Sequence, residues 1–447
     1  MFQYTNQAES GDTTDVHNRR PVSVLNVLSK VFERAIYNKL LNYLLKNKLI
    51  TPAQHGFLPN KSTESAIIDF IDKIYKIINC KKVALGIFID FSKAFDCVEH
   101  SILLQKLEHM GVKGNILKLL KSYLSNRVQI VNYANEFSDP MSLKYGVPQG
   151  SILGPLLFLT YINDINNVTN ELHFSIFADD LNLLKTGFSV DELIRKTNTE
   201  LKKISLWIKL NKLCLNGLKL VAMIFDNTMS QNLYPPIRIS NFVIPTSPRV
   251  KFLGVILDRK LHWNLHISNL VSYISKLSGI IYQVRSQLTP TAFKALYFSL
   301  VYSKLIYCVT IWGVTYQKYI QKVKIAQNRV LRSYMGLQRR DSVSEVYTQL
   351  HLLKFEQIFK MFSGLLLLKF NSFQYCNDVF QKINQVHQRP TRASLYDIYV
   401  IVPRISEVEH SVIFKCPQYY NSLPRYVKQS TTLREFKRKL KNHILHN

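Results

Sequence analysis

Two adjacent carboxylates, Asp179 and Asp180, lie between two short apolar runs, SIFA (175–178) and LNLL (181–184), and no other feature constrains the chain as much. The runs are short and bounded by the doublet, so His173–Leu184 reads as two strands meeting at a tight turn around it. Such flanks would desolvate both charges and leave them repelling each other unless a cation sat between them. A third carboxylate ends another apolar run: VALGIFIDF (83–91) reads as a buried strand with Asp90 near its end. Each feature alone has an ordinary reading. Asp doublets are common on surfaces, and an Asp at a strand end serves as a turn or cap. Together, three carboxylates from two strands suit Mg²⁺, which prefers hard oxygen ligands, commonly one or two carboxylates plus a substrate phosphate. Two such ions about 3.5–4 Å apart are what in-line phosphoryl transfer needs.

Charge points to the same class of substrate. Lys and Arg total 58 against 30 acidic residues, a formal net charge of +28 over 447 residues. Self-repulsion of that size favours an anionic partner, and nucleic acid is the usual one; a membrane surface or a merely soluble basic protein are the alternatives. Apolar residues make up 47% of the chain, enough for sizeable cores and more than one folded lobe. The six cysteines (80, 97, 214, 308, 376 and 416) form no CxxC pair and have no nearby His spacing. That argues against a zinc module or a secreted disulfide framework and suits a reducing compartment. MFQYTNQAES is too polar for a signal peptide, so the expected location is nucleus or cytoplasm and not secretion. The most apolar stretch, Leu296–Gly313, carries Lys304 at its middle and reads as a packed helix, not a membrane span.

Periodicity predicts a helix within residues 21–50, with Val27, Leu28, Val31, Phe32, Ala35 and Leu40 near one face. After a turn cluster at Thr51–Thr63, a second helix runs through Ile78, Lys106–Asn126 looks helical, and Val128–Tyr133 looks like a strand. A helix over Ser151–Ile165 follows a Pro-Gln-Gly turn, and a helix at Val190–Asn211 precedes a strand at Val221–Phe225. Leu233–Val250, with prolines at 235, 236, 245 and 248, reads as looser. Beyond Arg285 the pattern is mostly helical and basic, ending in an amphipathic tail with seven basic residues and one acid between Arg425 and Lys441. Strands alternating with helices indicate an α+β layer.

Six segments in order carry a family resemblance: RRPVSVLNVLSKVFERAI (19–36), QHGFLPNKSTESAI (54–67), FIDFSKAFDCVEH (88–100), GVPQGSILGPLLFLTYINDI (146–165), FADDLNLL (177–184) and VKFLGVILDRKLHW (250–263). Their series resembles the reverse transcriptase blocks of non-LTR retrotransposons, closest to jockey-like elements. FSLVYSKLIYCVTIWG (298–313) and HQRPTR (387–392) resemble the region that follows the polymerase in these elements, so the likeness spans roughly residues 11–441. The resemblance implies an α+β right-hand polymerase with partial fingers at 1–82, an antiparallel-sheet palm at 83–265, a helical thumb at 266–345 and a helical basic C-terminal region at 346–447. It implies addition of deoxynucleotides to a primer 3′ hydroxyl, with RNA template, DNA primer, target DNA and deoxynucleoside triphosphates as partners. Two Mg²⁺ ions, or Mn²⁺ in their place, would be the cofactor.

Roles follow by matching position. Asp90 and Asp179 resemble the two main metal-binding carboxylates and Asp180 the supporting third. Phe95 matches the aromatic that closes against the sugar's 2′ carbon and excludes a ribose hydroxyl, although an ordinary core Phe would look the same. Pro148, Gln149 and Gly150 match the turn where Gln149 touches the nucleotide and Gly150 allows close backbone approach at a helix start, which is also a simple helix entry. Arg20 resembles the arginine that holds the triphosphate. Lys219 resembles the lysine that protonates the leaving pyrophosphate. Lys93 and Asp96 match the pattern with a supporting role. LGV (253–255) resembles the hairpin that grips the primer end.

Three positions depart from the family pattern: Ser10 stands where a lysine is usual, Arg19 where Tyr is usual, and Leu220 where Thr is usual after the lysine. The first departure implies that part of the fingers and one triphosphate ligand are missing, and the chain has no room for the upstream endonuclease. The competing reading is therefore a truncated relic that binds nucleic acid and turns over poorly. An RNA-processing maturase would need an RNA-binding extension that is not visible.

Overall fold

The computed structural model describes residues 7–8, 19–20, 22–133, 136–226, 234–373, 379–386 and 396–446. Ser10, the following GDTTD, HQRPTR (387–392), Cys376 and the side chain of Arg20 lie outside the described residues. The described chain opens with two short antiparallel strands, β1 (Gln7–Ala8) and β2 (Arg19–Arg20), and then α1 (Val27–Lys46). After α2 (Thr63–Asn79) come β3 (Val83–Asp90), α3 (His100–His109), α4 (Gly114–Leu124) and four short strands, β4 (Arg127–Gln129), β5 (Asn132–Tyr133), β6 (Glu136–Phe137) and β7 (Met141–Leu143). Then follow α5 (Leu153–Ile162), β8 (His173–Phe177), β9 (Asp180–Gly187), α6 (Val190–Leu210) and β10 (Val221–Phe225). Two hairpins, β11 (Ile237–Ile239) with β12 (Phe242–Ile244) and β13 (Arg249–Phe252) with β14 (Val255–Asp258), precede α7 (Asn264–Val284) and a helical remainder. Helices built around antiparallel pairings make this an α+β chain, as expected.

Two compact units emerge: residues 1–63, 85–222 and 231–246 form one, and residues 64–84, 223–230 and 247–447 the other. The first is organised on a sheet of strand order β10-β3-β9-β8. Within β3, Ala84 to Ile89 are all buried, the signature of a strand covered on both faces. β8 and β9 form the expected hairpin, Phe177 pairing with Asp180 across a turn of only Ala178 and Asp179. α5 is apolar on every side and buried from Leu153 through Ile162 apart from Pro155, with α1 and α3 packed against it. α6 lies on β9 and β11.

Three expectations change in this unit. The helix read over Lys106–Asn126 is two helices, α3 and α4, separated by the turn at Gly111–Lys113. The segment read as loose contains the β11–β12 hairpin: its prolines flank the strands and remove no ladder donor from them. The face of α1 also differs. Leu40 is buried as expected, with Leu41, Leu44 and Glu33, but Val27, Leu28, Val31 and Phe32 are 62–74% exposed. The inward position of the first turns goes instead to the Glu33 carboxylate, which is 3% exposed and hydrogen-bonded to the start of α5.

In the second unit α7 packs along the helix Gln317–Met335. Residues 296–313 are interrupted where one helix was expected: a π-helical turn at Tyr297–Tyr302 and a left-handed Cys308 divide them. Among the described residues no helix is long and apolar enough to cross a membrane. The C-terminal helix, Leu433–His446, buries Phe436, Leu440 and Ile444 against Phe355–Phe373 and leaves Arg434, Lys437, Arg438 and Lys441 exposed.

Candidate active site

Strand order makes the two strands that carry the predicted carboxylates neighbours. Asp90 is the last residue of β3 and Asp180 the first of β9, and these strands are neighbours; Asp179 occupies the turn immediately before. All three are half-buried, so they sit at a rim where charge can meet solvent or a ligand. The turn is tightly specified. Ala178 adopts a left-handed φ of 55°, uncommon for a residue with a β-carbon and dependent on its surroundings. Its amide is held by the side-chain oxygen of Gln54, at 3.0 Å, which also accepts from Gly56 N at 2.7 Å. The backbone of the same segment runs along β8, His55 N donating to Ile176 O and Ile176 N to Ala53 O. Gly56 has no alternative here: a β-carbon on it would lie 2.5 Å from Ala178 N.

Asp90 is engaged on one oxygen. Asn216 Nδ2 donates to Asp90 Oδ2 at 3.1 Å, and Lys219 Nζ lies 3.3 Å from the same atom. Asn216 N also donates to the Asp90 backbone oxygen at 2.9 Å, so the loop before β10 is laced to the end of β3. Among the described residues no group of three or more His, Cys, Asp or Glu side chains is placed to hold a metal ion. The donor chemistry still fits Mg²⁺, whose sites commonly use one or two carboxylates and leave the rest to water and substrate phosphate. The Lys219 ammonium already neutralises part of the charge such an ion would meet.

Phe95 and the Pro148–Gly150 turn are assembled on adjoining segments. Val147 N donates to Phe95 O and Gly146 N to Val98 O, both at 2.8 Å, so residues 95–98 and 146–147 are zipped together. The Phe95 ring stacks on Phe158 of α5, centroids 4.6 Å apart, and meets the edge of Phe57 at 6.4 Å. Phe158 is fully buried, so the Phe95 ring has a rigid floor and cannot retreat in that direction. Gln149 points its amide nitrogen at both Asp96 oxygens, 3.3 Å away, which gives Asp96 a supporting part. Burial pushes the neighbouring Cys97 thiol up from its ordinary pKa, which keeps it protonated.

The turn is also tied to the chain ahead of α1. Gly150 permits a close approach of the chain itself: with φ +110°, its missing β-carbon would fall 2.6 Å from Ser23 O. Ser23 N donates to Gln149 O at 2.7 Å, closing the contact. The helix start behind it is also taken. Glu33 Oε2 accepts from Ile152 N at 2.7 Å and Leu153 N at 3.4 Å, and Ser151 Oγ accepts from Gly154 N at 2.8 Å. Pro155 has no amide proton, so the first turn of α5 has no donor left for a phosphate.

Arg20 lies in β2, its backbone paired with Gln7. Lys219 is exposed and beside Asp90. The hairpin LGV turns at Leu253 and Gly254 with Phe252 paired to Val255, and Tyr307 Oη donates to Leu253 O. Glu33, Gln54 and Asn216 escape a reading of single residues. Glu33 alone left a trace, being the only acidic residue of α1.

A family model described as "Reverse transcriptase (RNA-dependent DNA polymerase)" matches residues 11–257. The probable RNA-directed DNA polymerase from transposon BS of Drosophila melanogaster is 28% identical over 326 residues, covering 70% of this chain and 36% of that protein. The RNA-directed DNA polymerase from mobile element jockey of the same species is 27% identical over 334 residues, covering 72% and 36%. The chain thus spans about a third of the length of these curated relatives. Among solved structures, telomerase from Candida albicans in complex with a TWJ fragment of telomeric RNA aligns with a TM-score of 0.41 at 12% identity, over 79% of this chain and 64% of that one.

Proposed function

Because the chain belongs to the reverse transcriptase (RNA-dependent DNA polymerase) family, we propose that it is the polymerase portion of a non-LTR retrotransposon protein. It copies an RNA template by adding deoxynucleotides from their triphosphates to a DNA primer 3′ hydroxyl, with release of pyrophosphate, and it engages target DNA. The observation that supports this reading is that Asp90 ends β3 while Asp179–Asp180 leads into β9, its neighbour in the sheet, in a chain that also backs the Phe95 ring with Phe158. A functional division into fingers (1–82), palm (83–265), thumb (266–345) and basic C-terminal region (346–447) accompanies it. The working site is nucleus or cytoplasm, without a membrane or secretion step.

In this reading Asp90, Asp179 and Asp180 hold two Mg²⁺ ions, or Mn²⁺ in their place. Bound there, the ions would neutralise phosphate charge and make the primer hydroxyl a better nucleophile. The protein's own contribution is positioning. Gln149 leaves Asp96 to contact the incoming nucleotide, within the turn shaped by Pro148 and Gly150. Phe95 bars a 2′ hydroxyl, Arg20 pairs with the triphosphate, and Lys219 donates a proton to the departing pyrophosphate. Exposed bases on the C-terminal helix supply phosphate contacts, each steepening the salt dependence of binding by about 0.9 in the log–log slope on duplex DNA.

Primer extension on poly(rA)/oligo(dT) with Mg²⁺ and dTTP tests the proposal. The parent chain should extend and an Asp179→Asn, Asp180→Asn double variant should not. If neither extends although both bind the duplex, the chain is a nucleic-acid-binding relic and the catalytic proposal fails.

A further inference from the structure

A buried carboxylate on a helix of a strongly basic protein calls for an account, and among the described residues Glu33 is held by hydrogen bonds and not by an ion pair. Among the described residues the hydrogen-bond partners of Glu33 are all neutral donors. Oε1 accepts from Tyr123 Oη of α4 at 2.8 Å, while Oε2 accepts from Ile152 N and Leu153 N. Burying a carboxylate is costly unless its hydrogen bonds are well made, and it is most favourable at the positive end of a helix. Glu33 meets both conditions at the N-terminus of α5. The same helix carries Phe158 under the Phe95 ring, and its start lies four residues after Gln149. A second tie from the same part of the chain, Ser23 N to Gln149 O, fixes the other side of the turn.

We infer that Glu33 is a positioning residue for the incoming nucleotide: from α1 it sets the start of α5, and through it the Gln149 turn and the floor beneath Phe95. The inference rests on the function proposed above. It has two consequences. The triphosphate cannot use the α5 N-terminus, because a protein carboxylate already holds those amides, so its charge must be met by side chains and metal. And a displacement of α1 is passed through this carboxylate to the start of α5 and on to Gln149, which ties nucleotide affinity to the placement of α1.

Three variants test this, each read in two ways. Hydrogen–deuterium exchange reports on residues 151–154 without turnover. Binding of fluorescent dTTP to the protein–duplex complex, and KM and kcat for dTTP in primer extension, report on the nucleotide. Glu33→Ala should speed exchange at Ile152 and Leu153 and raise the dTTP Kd and KM at least tenfold, with kcat within threefold of the parent. Glu33→Gln should restore all three to within threefold, because its carbonyl can accept from Ile152 N while its amide donates to a reversed Tyr123 hydroxyl. If Glu33→Ala does not fold, Glu33→Asp, too short to reach both partners, should still raise KM at least fivefold. Faster exchange with unchanged nucleotide binding would overturn the inference, as would a fall in kcat and thermal stability without a KM effect. A parent that binds dTTP but never extends would count against the polymerase proposal, and exchange with dTTP binding would still decide the role of Glu33.

Discussion

Lys219→Ala separates two effects that Lys219 exerts in opposite directions. Its ammonium lies 3.3 Å from Asp90 Oδ2, with the lysine side chain 46% exposed and that of Asp90 17%. A pair so open to water is worth about 0.2–1 kcal/mol. A divalent ion binding at Asp90 must first displace that ammonium, so its removal should tighten metal binding by at most about fivefold. If Lys219 also protonates the leaving pyrophosphate, the rate at saturating metal should fall by about 10²–10⁴-fold, the usual range for a lost general acid. Mn²⁺ affinity measured by electron paramagnetic resonance reads the first effect without turnover. Single-turnover extension across a Mg²⁺ titration reads the second. The variant should therefore show tighter metal, a much lower plateau and loss of the alkaline limb of the pH–rate profile. Looser metal binding would show that the ion pair does not compete at Asp90; an unchanged plateau would remove Lys219 from the chemistry.

Phe95→Ala should admit ribonucleotides, cutting discrimination against rUTP at least about 100-fold, a loss near 3 kcal/mol of differential transition-state binding; unchanged discrimination in competitive extension assays would end the assignment of Phe95 as the gate. Asp258 accepts from Lys260 N, His262 N and Trp263 N, pinning the entry to α7 with a fully buried Trp263. Asp258→Ala should therefore cost on the order of 3 kcal/mol in urea unfolding, where a loss under about 0.5 would deny it that part. Asp72 on α2 is fully buried with Oδ1 unpartnered, and burial raises its pKa from 3.8 to about 6 despite the nearby Lys76. A raised carboxyl favours the fold while protonated, so that support is full below pH 4 and is lost as pH climbs through 6. Asp72→Asn should thus match the parent at pH 4 and exceed it by about 2–3 kcal/mol at pH 7; a difference that does not grow with pH would contradict this.

Much of the site is legible in the sequence because its signals are short and local. The apolar run ending at Asp90 and the doublet between SIFA and LNLL each announce a strand end through composition alone, while the Leu253–Gly254 turn is legible only through the family resemblance. What stays hidden depends on tertiary partners. Helical period locates α1, but which side faces inward is decided by where α5 needs an acceptor, and a polar Glu33 outcompetes Val31 and Phe32 for that place. The β11–β12 hairpin is masked by prolines that bound it. The division of Leu296–Gly313 arises from a π turn and a left-handed Cys308, backbone choices with no compositional mark. Gln54 is silent for a related reason: its value lies in an amide 124 positions away.

That distant bond makes the QHGF loop and the Asp179 turn a single heritable unit. A drifting lineage could not lengthen either by one residue, since the Gln54 oxygen would then miss Ala178 N or Gly56 would collide with it. Change at one should be survivable only with a matching change at the other, so a library randomised at both places should yield active clones as correlated pairs, whereas either place randomised alone should return little beyond the parent.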